Sequence, residues 1–248
     1  MSLPEVTSRE QWLAARKELL AREKELTRQR DALNADRRRM PMVVIDKDYA
    51  FEGPAGRVGL LDMFDGCSQL ILQHVMFDPS WDEACPGCSA GFDELAPGLL
   101  RHLRTRDTAF AGVSRAPFAK LAAFQARKGW EFAWYSSLGS EFNYDFHATV
   151  DEAVAPVEYN YRTRAEHVQA GSADGELGQQ STELPGVSCF LRDGDSVFHT
   201  YSTYARGTDQ LGSSYSLLDL TALGRQEEWE EPKGRVSRPH GADPTFTD

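Results

Sequence analysis

Residues 69 to 77 of this chain read Gln-Leu-Ile-Leu-Gln-His-Val-Met-Phe, a run with little alternation between apolar and polar positions. Such a run is expected of a strand covered on both faces, which in a water-soluble chain means the interior of a largely parallel sheet. The downstream sequence fits that constraint. Thr108 to Ser114 reads as a second central strand and Trp130 to Ser136 as a third. Between the last two, Pro117 to Lys128 has helical periodicity, with Phe118, Leu121, Ala122 and Phe124 on its buried side. Phe92 to Arg104 also reads as helix. Strand and helix in alternation predict an α/β fold, a sheet flanked by helices.

The flanks differ in character. Residues 8 to about 39 form one expected helix, capped by Ser8 with Gln11 three residues on as its capping-box partner. Trp12, Leu19, Leu26 and Leu33 recur every seventh residue, with Leu13 and Leu20 beside them. Through Arg39 there are ten basic and seven acidic residues, so of a total charge of −11 the other 209 residues carry −14. This stripe suits packing against the acidic body or a homodimer seam, and is too thin for membrane insertion. After Pro41, short β segments between Val43 and Arg57 predict a hairpin, and Leu60 to Phe64 a helical turn closed by Asp65-Gly66. Residues 168 to 183, rich in Gly, Ser, Gln and Glu, read as a mobile surface insertion. Val187 to Leu191 and Ser196 to Tyr201 flank Arg192-Asp193-Gly194-Asp195, a hairpin signal, and Leu217 to Leu223 reads as a short helix. The expected organisation is an arm over 1–40, a domain over 41–229 with an insertion around 150–184, and a tail over 230–248.

The acidic balance argues against general nucleic-acid binding, and no run approaches the roughly 18 apolar residues of a membrane span. The expected location is the cytoplasm. There, the four cysteines (Cys67, Cys85, Cys88 and Cys189) are not expected to form a structural disulfide framework; a close pair such as Cys85 and Cys88 is more often redox-active or metal-binding, and Cys67 and Cys189 read as small buried hydrophobes.

Cys85-Pro86-Gly87-Cys88 stands where the apolar strand and its loop give way to a helix. A thiolate at a helix N-terminus is stabilised by free N–H groups and the macrodipole, which lowers its pKa. Two intervening residues let Cys88 reach back to Cys85, so Cys85 would attack a disulfide and Cys88 would resolve the mixed disulfide. Pro86 suits an early helical position, where its missing N–H would have had no partner. An inert pair and half of a zinc site are the other readings. Against zinc, Cys67 and Cys189 stand alone, 18 residues before Cys85 and 101 after Cys88, and the six histidines show no metal spacing.

Hairpin, Leu-Leu-Asp-Met-Phe-Asp-Gly turn, apolar strand, C-x-x-C at a helix start, strand, helix, strand and Asp-Gly hairpin together resemble the thioredoxin-like superfamily. The layout is similar to thioredoxin-fold thiol oxidoreductases and peroxiredoxins. More narrowly, Trp81 to Ser89, Val113 to Pro117, Gly139 to Phe146, the Leu-Pro-Gly-Val-Ser-Cys-Phe-Leu-Arg-Asp-Gly-Asp run and Val197 to Gly207 resemble domain-of-unknown-function family eight-nine-nine. Members of that family are often described as predicted dithiol–disulfide oxidoreductases. The resemblance covers about residues 8 to 225 and implies a thioredoxin-like fold with a central mixed sheet. It also implies a proline facing the active sulfurs in cis; Pro185 falls near that place, and a trans Pro-Gly turn is the other reading. Two departures stand out. Ala84, not Trp, precedes the first Cys, and Trp81 lies four residues before it. In the peroxiredoxin pattern P-x-x-x-T-x-x-C, Asp82 takes the Thr place and Asp78 the Pro place.

Around the dithiol, Asp78, Asp82 and Glu83 are candidate proton carriers or solvated loop acids. Ser114 and Arg115 follow a central strand at the end where open α/β sheets bind ligands, and Arg115 is a candidate to stabilise a thiolate or to close a surface ion pair. Trp81 is a candidate lid, and the aromatic runs Phe142 to Phe146 and Tyr201 to Tyr204 are candidate groove walls or packing. The expected activity is thiol–disulfide exchange with a protein dithiol or small thiol, without cofactor or metal. A non-catalytic binding module, a thiol peroxidase and a zinc module are the alternatives.

Overall fold

The computed structural model describes residues 3–239 except 173, 175, 176, 212, 235 and 238. The described residues divide into two units: 3–42 with 217–239, and Val43–Ser216. In the first, α1 (Arg9–Arg39) starts as its sequence dictates. The Ser8 side chain accepts from the Gln11 backbone N–H, and the Gln11 side chain accepts from the Ser8 N–H. Arg37, Arg38 and Arg39 in the last turn complement the negative end of the helix dipole. No residue of α1 is buried, and Trp12, Leu19, Leu26 and Leu33 are all exposed.

The second unit contains, in order, β1 (Val43–Val44), β2 (Ala50–Gly53), β3 (Gly56–Gly59), a 3-10 turn (Leu61–Phe64), β4 (Gln69–His74), α2 (Pro86–Asp93), α3 (Pro97–Arg104), β5 (Thr108–Ser114), α4 (Phe118–Lys128), β6 (Ala133–Ser136), α5 (Phe142–Asp145), β7 (Thr149–Val150), β8 (Glu158–Tyr159), β9 (Arg162–Thr163), α6 (Arg164–Gln169), β10 (Thr182–Glu183), β11 (Gly186–Asp193) and β12 (Ser196–Tyr204). A last helix, α7 (Ser213–Leu218), straddles the boundary.

Eight strands make one mixed sheet in the order β1-β12-β11-β4-β5-β6-β2-β3. β4, β5 and β6 run parallel, and β11 and β12 join β4 antiparallel through the hairpin at Gly194, whose φ is +58°. A parallel three-strand centre flanked by a C-terminal hairpin, with helices in the crossovers, is the thioredoxin-like arrangement. One face carries Phe51, Met63, Phe64, Leu70, Leu72, Phe142 and Phe190; the other carries Val75, Phe77, Phe92, Leu121, Phe124, Phe132 and Trp134. β5 is covered on both faces, whereas β4 buries Leu70, Leu72 and His74 on one face and leaves Ile71 and Gln73 half-buried on the other. Gly112 is required by this packing: a Cβ there would stand 3.0 Å from Trp134 Cδ1 and 3.1 Å from Phe132 Cε2.

Several elements depart from their expected bounds. The helix expected over 92–104 begins earlier, at Pro86, and is interrupted between Asp93 and Pro97, because the residue before a proline is driven out of the helical region. The first central strand stops at His74, and the third begins at Ala133. The early hairpin is β2–β3 around Pro54, while Val43 and Val44 pair instead with His199 and Phe198 at the far edge of the sheet. The short late helix ends at Leu218 rather than Leu223. The stretch 168–183 is not all surface: Thr182 and Glu183 pair with β7, and Glu183 is 2% exposed. Residues 173, 175 and 176 of that stretch, and much of the expected tail, lie outside the described residues. No helix among the described residues is long and apolar enough to cross a membrane.

Candidate functional site

Past His74 the chain stays extended for three residues, held by β5. Val75 N–H donates to the Val113 carbonyl (2.9 Å), the Ser114 hydroxyl donates to the Val75 carbonyl (2.8 Å), and Ala116 N–H donates to the Phe77 carbonyl (2.8 Å). Successive carbonyls of extended backbone point to opposite sides, so the Met76 carbonyl faces away from β5, towards β11. It accepts the Cys85 N–H at 2.9 Å. The intervening loop is tied by its own acid and by α4. Asp78 Oδ1 accepts from Ser80 N–H (2.8 Å) and Ser80 Oγ (2.6 Å), and Lys120 Nζ donates to the carbonyls of Pro79 (2.9 Å) and Trp81 (2.8 Å).

Cys85 is thus delivered to the C-terminal end of β4 as the N-cap of α2, with φ −48° and ψ 129°. Pro86 occupies the first helical position, and the first helical bond runs from Ser89 N–H to the Cys85 carbonyl (2.9 Å). Gly87 and Cys88 complete the first turn, and both cysteines are half-buried. Cys85 stands at the positive end of the α2 dipole, the end at which a thiolate is stabilised.

The other residues singled out in the sequence take varied places. Ser114 is wholly buried: its hydroxyl, given to Val75, accepts the Trp134 Nε1–H (3.0 Å), so it fastens the strands rather than facing a ligand. Arg115 turns to Glu183, with Nη1 2.8 Å from Oε1 and 3.1 Å from the Ser181 hydroxyl, and lies over the Tyr144 ring at 5.2 Å. Trp81 stands at the surface of the loop, 36% exposed. Pro185 immediately precedes β11, and its peptide bond is trans; the cis bond among the described residues is Glu231–Pro232. Glu83 pairs with Arg127 in solvent. Cys189 lies opposite Ile71, three residues down β11 from Gly186, hence about 10 Å from the end that carries Cys85. Cys67 is in the core. Phe142 and Phe146 are packing, stacked with Phe51, Phe190 and the His74 ring. Tyr204 is buried against Tyr159 and Tyr161. Among the described residues no group of three or more His, Cys, Asp or Glu is placed to hold a metal.

Three polar residues at this end of the sheet lack a sequence signal of their own. Lys120 reads as one more charge on the polar face of α4. Glu183, inside a Gly/Ser/Gln/Glu stretch, is a buried carboxylate. Burial drives its pKa up to about 7, although Arg115 and Thr149, whose hydroxyl lies 3.1 and 3.0 Å from its two oxygens, pull the other way. His74, in the middle of an apolar run, is buried and held neutral, its pKa pushed down to about 3 by burial and then by the charge of His199. A hydrogen-bonded file crosses three strands from it: His74 Nε2 to Ser188 Oγ (2.9 Å), Ser188 Oγ to Ser202 Oγ (2.8 Å), and Ser202 Oγ to His199 Nε2 (2.7 Å).

Residues 1–241 match the model of a family described as bacterial protein of unknown function, DUF899. No curated protein matches the chain. Among solved structures, a cysteine-to-serine mutant of PrxQ from Xylella fastidiosa is 12% identical with a TM-score of 0.44, over 69% of this chain and 92% of that one. Peroxidoxin BcpB from Mycobacterium tuberculosis is also 12% identical at 0.44, over 68% and 92%.

Proposed function

We propose that this chain, which belongs to the DUF899 family, is a thiol–disulfide oxidoreductase whose reacting groups are Cys85 and Cys88. One observation carries the reading: half-buried Cys85 is the N-cap residue of a helix at the C-terminal end of a central strand, with half-buried Cys88 in the first turn behind it. An inert pair would need neither the helix end nor access to solvent.

Cys85 Sγ, as thiolate, attacks one sulfur of a substrate disulfide and expels the other. Cys88 Sγ then attacks Cys85 Sγ, closing a Cys85–Cys88 disulfide and releasing the second substrate sulfur as thiol. Two electrons pass from the protein dithiol to the substrate, and a protein dithiol or small thiol restores the pair. Pro86 fixes the entry to the helix, and the Met76 carbonyl and Lys120 hold the loop that presents Cys85.

The test is reduction of a small aromatic disulfide by the pre-reduced protein. The expected result is one equivalent reduced per chain and loss of activity in Cys85→Ser. Full activity in Cys85→Ser, or none in the wild type, would remove the proposal.

A further inference from the structure

We propose that a cleft at the β1–β12 edge of the sheet binds a small quaternary ammonium cation between tyrosine rings and beside an unpartnered carboxylate. This site is separate from the dithiol. Phe146, which lines the cleft, belongs to the core on one face of the sheet, and Cys88 packs against the core on the other. The cleft has a volume of about 370 Å³, within the range of small-molecule sites, and all its lining residues belong to the unit Val43–Ser216. Buried Phe146 and Tyr204 and half-buried His199 form its base; half-buried Tyr49 and exposed Tyr161 form its walls. The rings meet edge to face, with centroids 5.2 Å apart for Phe146 and His199, 6.2 Å for Tyr49 and Phe146, and 5.7 Å for Tyr161 and Tyr204.

Tyr161 is the residue whose place folding alone does not explain. With Asn160 it makes the two-residue turn of the β8–β9 hairpin, where φ is +48° at Asn160 and +62° at Tyr161. Such a turn favours glycine in its second place, so a tyrosine there is held at a cost to the backbone. Tyr161 is nevertheless 61% exposed, and its hydroxyl donates to the Ser202 carbonyl (2.8 Å), which fixes the ring at the cleft. A bound ligand gives that ring a use.

The polar capacity left in the cleft selects the charge of the ligand. The other tyrosine hydroxyls are also engaged as donors, Tyr49 to Asp145 Oδ2 (2.7 Å) and Tyr204 to the Phe146 carbonyl (2.9 Å). Lys47 Nζ donates to Glu141 (2.9 Å) and Asp145 (2.7 Å), and His199 Nε2 is bonded to Ser202 Oγ (2.7 Å), its pKa lowered by burial. An anion or a sugar would therefore find few donors. The Asp46 carboxylate, by contrast, is exposed and has no hydrogen-bond or ion-pair partner among the described residues. Asp46, Glu141 and Asp145 all place their charge on the Tyr49 hydroxyl, and Lys47 is the ammonium set against these three. A primary ammonium keeps its water tightly, whereas a quaternary one is weakly hydrated and lies readily against aromatic rings.

The full chain is titrated with choline and with neohexyl alcohol, in which a carbon replaces the choline nitrogen, and the methyl protons are followed by NMR. Choline is expected to saturate one site per chain and to bind about tenfold or more tighter than the alcohol. Tyr161→Leu keeps an apolar wall without the aromatic ring; it should weaken choline about three- to tenfold and change the alcohol by less than about twofold. Asp46→Asn, at an exposed carboxylate without a partner, should weaken choline about threefold at low salt and leave the alcohol unchanged. It decides the matter alone if Tyr161→Leu does not fold. Equal binding of the two probes, no choline binding at millimolar concentrations, equal weakening of both probes in Tyr161→Leu, or unchanged choline affinity in the variants overturns the proposal.

Discussion

Replacing Glu183 with Gln removes a titration that the fold forces on a buried carboxylate, and its size follows from the structure. The group ionises near pH 4.5 in the unfolded chain and near pH 7 in the folded one. Its folded pKa is raised, so its contribution to stability is intact below pH 4.5 and is lost as pH rises to 7. That interval corresponds to about 3 kcal/mol. The attraction of Arg115 for the carboxylate already acts on that pKa, so it is part of the same pH dependence and adds none of its own. Urea unfolding midpoints from pH 4 to 8, measured for both chains in a Cys85→Ser background so that thiol titration does not enter, isolate the effect. The glutamine chain should gain about 3 kcal/mol on its parent across this range, almost all of it between pH 4.5 and 7. A stability difference that stays flat would refute the burial of an ionisable Glu183.

Other perturbations have defined outcomes. Gly112→Ala sets a methyl against Trp134 and Phe132 and should cost about 1–3 kcal/mol with altered tryptophan emission, read by thermal melting and fluorescence; an unchanged Tm would contradict the packing. Ser188→Ala breaks the file between His74 and Ser202 and should cost about 2 kcal/mol in urea unfolding, since it strands a buried imidazole. By NMR, the His74 ring should show no titration from pH 8 down to pH 5, because its folded pKa is lowered to about 3; a midpoint near 6.5 would contradict its burial. Ser8→Ala removes half of the capping box and should destabilise the first turn of α1 by about 1 kcal/mol, seen as faster amide exchange there.

The parts of the fold legible in the sequence are those whose determinants are local. Ser8 and Gln11 announce the start of α1 because a capping box lies within four residues, and Asp65-Gly66 announces a turn because both residues take positive φ, 46° and 81°. The apolar run of β5 declares a strand covered on both faces, while β4, equally apolar in sequence, is fully buried on one face only. What the sequence conceals is set at long range. Val43 and Val44 have no local strand partner and find one at His199 and Phe198, more than 150 residues on. Glu183 sits in a composition that reads as surface, yet it is buried because Arg115, 68 residues earlier, and Thr149, 34 residues earlier, converge on it. The Thr-Glu-Leu just before Pro185 is a faint local hint, a β-prone start inside a polar stretch. The dithiol shows the opposite case: strand, loop and Pro86 are contiguous in the chain, so the place of Cys85 at a helix start is legible locally, although β5 and Lys120 hold the loop that presents it. The partner of Arg115 is fixed only by the fold, because the sequence supplies many carboxylates for it and the sheet supplies Glu183.

The most direct measurement is a covalent trap. Reduced Cys88→Ser protein is mixed with a small disulfide and its mass recorded before and after digestion. The account predicts one substrate half attached per chain, on Cys85, while the wild type carries none and instead loses two hydrogens as Cys85 and Cys88 join. Attachment elsewhere, or a Cys88→Ser chain that stays unmodified while wild type still consumes the disulfide, would contradict it.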